Sequence, residues 1–92
     1  MIVFGLGALN AQKTAVFGVV TEQATKSPIP FVKVSFYGTK ISTVTDSLGR
    51  YKLETYYPVD SLQIYSLGYK VVRIKLKQEV QQELNVALRP TS

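Results

Sequence analysis

The chain contains no cysteine and no histidine in its 92 residues. Without cysteine there is no disulfide, no thiolate nucleophile and no cysteine-ligated zinc. Without histidine the usual general base near neutral pH and the commonest metal ligand are both missing, which removes Ser-His-Asp and histidine-metal mechanisms. Charge is sparse as well, at 18% of residues, while 46% are hydrophobic, a balance that argues against disorder. The acids Glu22, Asp46, Glu54, Asp60, Glu79 and Glu83 are scattered singly among turns and strand ends. Catalysis by a carboxylate generally needs a partner group, and calcium wants six to eight oxygens, roughly. Neither requirement is met, so the expectation is a non-enzyme with no catalytic residue, no cofactor and no metal.

A long apolar run is also lacking. Residues 1–11, "MIVFGLGALNA", are uncharged but far short of the roughly 20 residues a membrane-spanning helix requires. They fit the apolar core and cleavage end of a secretory signal peptide, with Ala11 before the cut and Gln12 after it, although no Lys or Arg precedes them. The alternative is an N-terminal strand built on "IVF". The expected division is therefore a signal-peptide remnant over 1–11 and a single domain over 12–92.

What is present is a period of two. From Lys13 onward apolar residues alternate with polar ones, and turn residues interrupt at intervals typical of a small antiparallel sandwich or barrel. "TAVFGVVT" places Val16, Gly18 and Val20 on one face, with Gly18 suggesting a bulge or a close backbone approach. "FVKVSFYG" turns Val32, Val34 and Phe36 inward. "ISTVT", "RYKLET" with Tyr51 and Leu53, "SLQIYSL" with Leu62 and Ile64, "YKVVRIKLK" with Val72, Ile74 and Leu76, and "QELNVALR" with Leu84, Val86 and Leu88 complete about seven strands. No stretch reads as a convincing helix; "KQEVQQEL" is too short and sits between two strand patterns.

Between "ISTVT" and "RYKLET" stands "DSLG". The Asp46 side chain can accept a backbone N–H two residues on, and Gly49 can take a positive φ. Asp46 and Gly49 are thus expected to form a structural hairpin turn rather than a catalytic or calcium site.

Taken in order, "GVV" (18–20), "SPIPFVKVSFYGT" (27–39), "TVTDSLGRYKL" (43–53) and "SLGYK" (66–70) resemble the carboxypeptidase-regulatory-like domain. The resemblance covers nearly all of 14–89. It implies an all-β fold, a seven-stranded antiparallel Greek-key β-sandwich of the transthyretin (prealbumin) type, with no active site of its own. It also implies a setting, because such domains stand at the N-terminus of Bacteroidetes outer-membrane proteins, including TonB-dependent receptors and uncharacterised barrel proteins. An apolar leader ending in "NAQ" suits that export route. The expected localisation is the periplasm in association with the outer membrane, and the expected role is docking or stabilising a neighbouring domain or partner protein.

Two surfaces are candidates for such a role. Arg73, Lys75 and Lys77 fall on one face of their strand at period two, a basic ladder suited to lipid phosphates or an acidic partner or, more plainly, a solvated face that discourages edge-to-edge aggregation. Tyr56 and Tyr57 beside Pro58 are the candidate glycan contact, with Lys52, Asp60 and Gln63 as polar company, which keeps a carbohydrate-binding module as the alternative function. Tyr51, Tyr65 and Tyr69 are expected to pack against the sheet. The net charge of +5 permits anionic partners, but no aromatic pair, glycine-rich basic loop or groove-reading helix points to nucleic acid.

Overall fold

The computed structural model describes residues 12–91. Eight strands follow one another: β1 (Thr14–Glu22), β2 (Lys33–Phe36), β3 (Ser42–Val44), β4 (Arg50–Thr55), β5 (Ser61–Tyr65), β6 (Val72–Lys75), β7 (Gln81–Glu83) and β8 (Val86–Leu88). The described residues contain no helix. Alternation decides which side each residue takes: in β4, Tyr51, Leu53 and Thr55 are buried while Arg50, Lys52 and Glu54 face water.

Two sheets enclose the core. One has the order β4-β1-β7 with β8 also on β1, and the other runs β3-β2-β5-β6. Val16 and Val20 from β1 meet Val34, Phe36, Leu62 and Ile64 from the opposite sheet, all fully buried. Each such side chain gains about 1.5–3 kcal/mol on leaving water, which is the main driving force available to so short a chain. Around the sandwich the circuit β1-β4-β3-β2 is a Greek key.

The structure is therefore the all-β sandwich expected, with eight strands in place of seven. The extra strand arises because "QELNVALR" is broken in two at Leu84–Asn85. There the chain rides over Gly18, and a Cβ on Gly18 would overlap the Leu84 carbonyl oxygen. Leu84 N–H donates to the Phe17 carbonyl at 2.9 Å, and the Asn85 side-chain oxygen accepts Val19 N–H at 3.0 Å. The Tyr51 hydroxyl donates to the Leu84 carbonyl at 2.7 Å. Gly18 is the close approach that the sequence suggests.

Two pairings depart from a purely antiparallel scheme. β7 and β8 both run parallel to β1, aligning Ala15 with Gln81 and Val20 with Val86. The chain crosses from β6 at the end where β1 begins, marked by Ala15 N–H donating to the Val80 carbonyl at 3.0 Å, and so ascends beside β1 in the same direction. "DSLG" likewise differs from the hairpin expected. β3 pairs with β2 and β4 with β1, so the turn is a corner that carries the chain from one sheet to the other.

Candidate docking surface

The outward residues of the β3-β2-β5-β6 sheet form rows across its strands. Register aligns Val44 with Lys33 and Lys33 with Tyr65; the next row is Ser42, Ser35, Gln63 and Arg73; below it Ser61 faces Lys75. No outward residue on these four strands is acidic. The Arg73 guanidinium lies 3.6 Å from the centre of the Tyr37 ring, an arrangement that holds a cation at an aromatic face, and a guanidinium nitrogen donates to the Gln63 side chain at 3.4 Å. Beside them Lys33, Lys40, Ser35, Ser42, Thr39 and Tyr37 line a shallow groove of about 310 Å³.

Of the three basic residues singled out from sequence, Arg73 and Lys75 belong to β6, and Lys77 lies two residues past its end. Lys77 is fixed at the backbone: its N–H donates to the Gln82 side-chain oxygen at 3.1 Å and its carbonyl accepts the Gln82 amide at 2.7 Å. Sequence reasoning missed the aromatic part of this surface. Tyr65, expected to pack, is exposed, and so is Tyr37, which lies just beyond β2. Its odd-numbered register with Lys33 and Ser35 was the available signal.

The outer side of the other sheet has a mixed character. Lys13 and Glu54 pair at 3.1 Å, and the carboxylate's hydrogen bond and charge raise the Lys13 pKa. Lys52, Glu54 and Tyr56 line a depression of about 600 Å³ there.

Asp46 serves the corner turn with every polar atom it has. One carboxylate oxygen accepts Leu48 N–H and Arg50 N–H, each at 2.9 Å, and the other accepts the Arg50 guanidinium at 3.1 Å. Its pKa is lowered, chiefly by the Arg50 backbone N–H, with burial opposing and the Leu48 N–H and Arg50 side chain assisting. Gly49 adopts φ +75°, and a Cβ there would press on the Val20 carbonyl and Pro28. Behind the turn, buried Thr45 accepts Val32 N–H at 2.9 Å and donates to the Ile29 carbonyl at 2.7 Å. That clamp holds Phe31 at φ +60° with 77% of its surface exposed, an unusual backbone state for an aromatic residue.

Tyr56 and Tyr57 are 67% and 70% exposed at the opposite end of the sandwich. With Pro58 they line a depression of about 270 Å³ whose polar company is Gln12, Thr14, Gln78 and Glu79. Of the polar neighbours expected, Lys52 accompanies Tyr56 on the first sheet, whereas Gln63 stands on the second. The described residues hold no group of three or more carboxylates, histidines or cysteines able to bind a metal.

Fold and surface together define a two-sheet β-sandwich with an acid-free, arginine- and tyrosine-bearing outer face. The chain belongs to the CarboxypepD_reg-like domain family, which matches residues 16–92. No curated protein sequence matches it. Among solved structures it is similar to chains from two interface mutants of the type II cohesin–X–dockerin complex of Acetivibrio cellulolyticus. Both are 25% identical over 79% of this chain, with TM-scores of 0.60 and 0.56. A 3-chlorocatechol 1,2-dioxygenase from Rhodococcus opacus shares the fold at 12% identity and TM-score 0.64, over 89% of this chain and 61% of that one. The chain spans about half the length, 52%, of the cohesin–X–dockerin chains it matches.

Proposed function

We propose that the domain is a non-catalytic docking module of an exported protein at the outer membrane, and that it engages a neighbouring domain or partner protein through the outer face of β3-β2-β5-β6. The observation that carries this is the composition of that face: Arg73 held on Tyr37, Tyr65 and Val44 exposed, Lys33 and Lys75 beside them, and no carboxylate. Interface centres are enriched in arginine and tyrosine and depleted of acidic residues, while lysine and serine, which this face also carries, belong more to the rim. The likeness to chains of a protein–protein complex is consistent with this role. The test is a photo-crosslinking amino acid placed at Gln63, with Lys52 on the other sheet as control, in cells that express the natural protein. A discrete adduct from position 63 and none from 52 is expected; equal labelling from both would end the proposal. Hydrolase activity abolished by Asp46→Asn in a folded protein would overturn its non-catalytic part.

A second reading is glycan binding at Tyr56 and Tyr57, favoured by their exposure beside the planar groups of Gln12, Gln78 and Glu79. Calorimetric titration with envelope oligosaccharides tests it, and saturable binding must disappear in Tyr56→Ala.

A further inference from the structure

Among the described residues strand β6 is an edge, and its backbone is open. Antiparallel pairs alternate between residues that exchange both backbone hydrogen bonds and residues that exchange none. Leu76 N–H donates to the Asp60 carbonyl at 2.8 Å, and the register continues through Leu62–Ile74 and Ile64–Val72. Val72, Ile74 and Leu76 therefore direct their backbone groups toward β5. Arg73 and Lys75 direct theirs away, and among the described residues no strand, loop or side chain bonds these N–H and carbonyl groups.

The opening has definite ends. Below it the Gln82 side chain occupies both backbone groups of Lys77. Above it Lys70 N–H donates to the Arg89 carbonyl at 2.8 Å, and Tyr69 forms a bridge with Pro90. Six residues, 71–76, lie between these closures, which at roughly 3.3 Å per residue gives a slot about 20 Å long. Its two sides differ. The inward residues Val72 and Ile74 are only partly buried although they pack on the core. The outward residues are Arg73 and Lys75, both exposed.

We infer that the β6 edge accepts an extended segment of a partner protein, six residues or so in length, whose residues alternate acidic and apolar. Added main-chain hydrogen bonds engage Arg73 and Lys75, as in other strand additions. The apolar residues cover Val72 and Ile74, while the acidic ones stand across from Arg73 and Lys75, where opposite charges on facing strands attract. A second copy of this chain is a poor occupant, because antiparallel β6–β6 pairing sets these cations against each other. The inference rests on the docking role proposed above and names the partner chemistry.

The probe is a capped hexapeptide of alternating valine and glutamate, titrated into the full 92-residue chain and followed by amide resonances and hydrogen exchange. The Arg73 and Lys75 amides are expected to slow in exchange by at least tenfold. A block peptide of the same composition, three valines then three glutamates, should bind at least tenfold more weakly. Lys75→Pro removes one open N–H without touching the β5–β6 ladder, a substitution edge strands tolerate, and should weaken binding tenfold or more. Lys75→Gln keeps that N–H and should weaken it about two- to threefold. Retained protection of Leu62 and Ile64 amides checks that Lys75→Pro is folded; if it is not, the exchange data on the unaltered chain decide. Absence of saturable binding, binding that leaves Arg73 and Lys75 amides unprotected, or equal affinity for the block peptide or for folded Lys75→Pro would overturn the inference. Crosslinking from Gln63 is unaffected by any of these outcomes, so failure of the strand site and failure of the docking role are distinguishable.

Discussion

Gly18→Ala is expected to destabilise the domain, against the general trend. In the interior of an ordinary strand, exchanging glycine for alanine helps by roughly 0.5–1 kcal/mol, because glycine loses more backbone freedom on folding. Here the added methyl overlaps the Leu84 carbonyl oxygen and comes within 3.0 Å of the Asn85 side-chain oxygen. The obstacle is backbone, so it has no rotamer into which to retreat. Either β1 bends or the Leu84–Asn85 segment lifts, and lifting endangers the bonds from Leu84 N–H to Phe17, from Tyr51 to Leu84 and from Val19 to Asn85. Overpacking costs about 1–3 kcal/mol, and each hydrogen bond lost costs about 1 kcal/mol. After the favourable glycine term is subtracted, a net loss of about 2–4 kcal/mol remains. Urea unfolding followed by tyrosine fluorescence would read this as a midpoint lower by about 2–4 M, taking a slope of roughly 1 kcal/mol per molar for a chain of this size. In a Tyr51→Phe background the loss should shrink by about 1 kcal/mol, because one of the endangered bonds is already gone. A Gly18→Ala protein as stable as the parent, or more so, would refute the close approach and with it the reason for the split between β7 and β8.

Thr45→Val keeps the side-chain shape but leaves Val32 N–H without its buried acceptor, so a loss of about 1–3 kcal/mol in urea unfolding is expected. Burial pushes the Tyr51 hydroxyl from 10.0 up to about 12. Its contribution to stability is therefore full below pH 10 and is lost as pH rises toward 12; alkaline unfolding curves should decline across that window and flatten in Tyr51→Phe. Asp46 has the opposite sign. Its carboxyl is held below the ordinary 3.8, so the stability it adds is present above that value and is lost as pH falls through the lowered one. Thermal unfolding measured between pH 5 and pH 2 should show a shallower acid decline in Asp46→Asn than in the parent, and an unchanged slope would contradict the hydrogen-bonded turn.

The core was legible because alternation is a local rule with a global consequence. Once one residue of "KVSF" or "RYKLET" is inside, every second one is, and the observed burial of Val34, Phe36, Tyr51 and Leu53 follows. Pairing was less legible. A D-x-x-G turn makes the same bonds to Leu48 and Arg50 whether its flanking strands join one sheet or two. The choice between hairpin and corner is set by what lies beyond the turn, in the competition of β2 for β3 and of β1 for β4. Period two also cannot say how much cover a face receives. Val72 and Ile74 point inward as their alternation requires, yet remain partly exposed because, among the described residues, β6 has no neighbour on its outer side.

That last mismatch bears on function. A basic ladder at Arg73, Lys75 and Lys77 has two physical meanings in a sequence: a guard against pairing with other edges, or a contact surface for an acidic partner. The structure places Arg73 and Lys75 on one strand whose outward backbone groups are bonded by no partner among the described residues, with Lys77 beyond the strand end, so the two meanings are not rivals. Cations repel edges that are neutral-apolar or basic only by the cost of desolvating or crowding the charge, whereas an acidic edge removes that cost and gains the backbone hydrogen bonds as well. The same residues that keep β6 from pairing indiscriminately thus select which strand can pair with it. Specificity of this kind depends on a penalty against wrong partners as much as on attraction to the right one, and the incompletely covered Val72 and Ile74 supply the apolar gain that makes a correct match worthwhile.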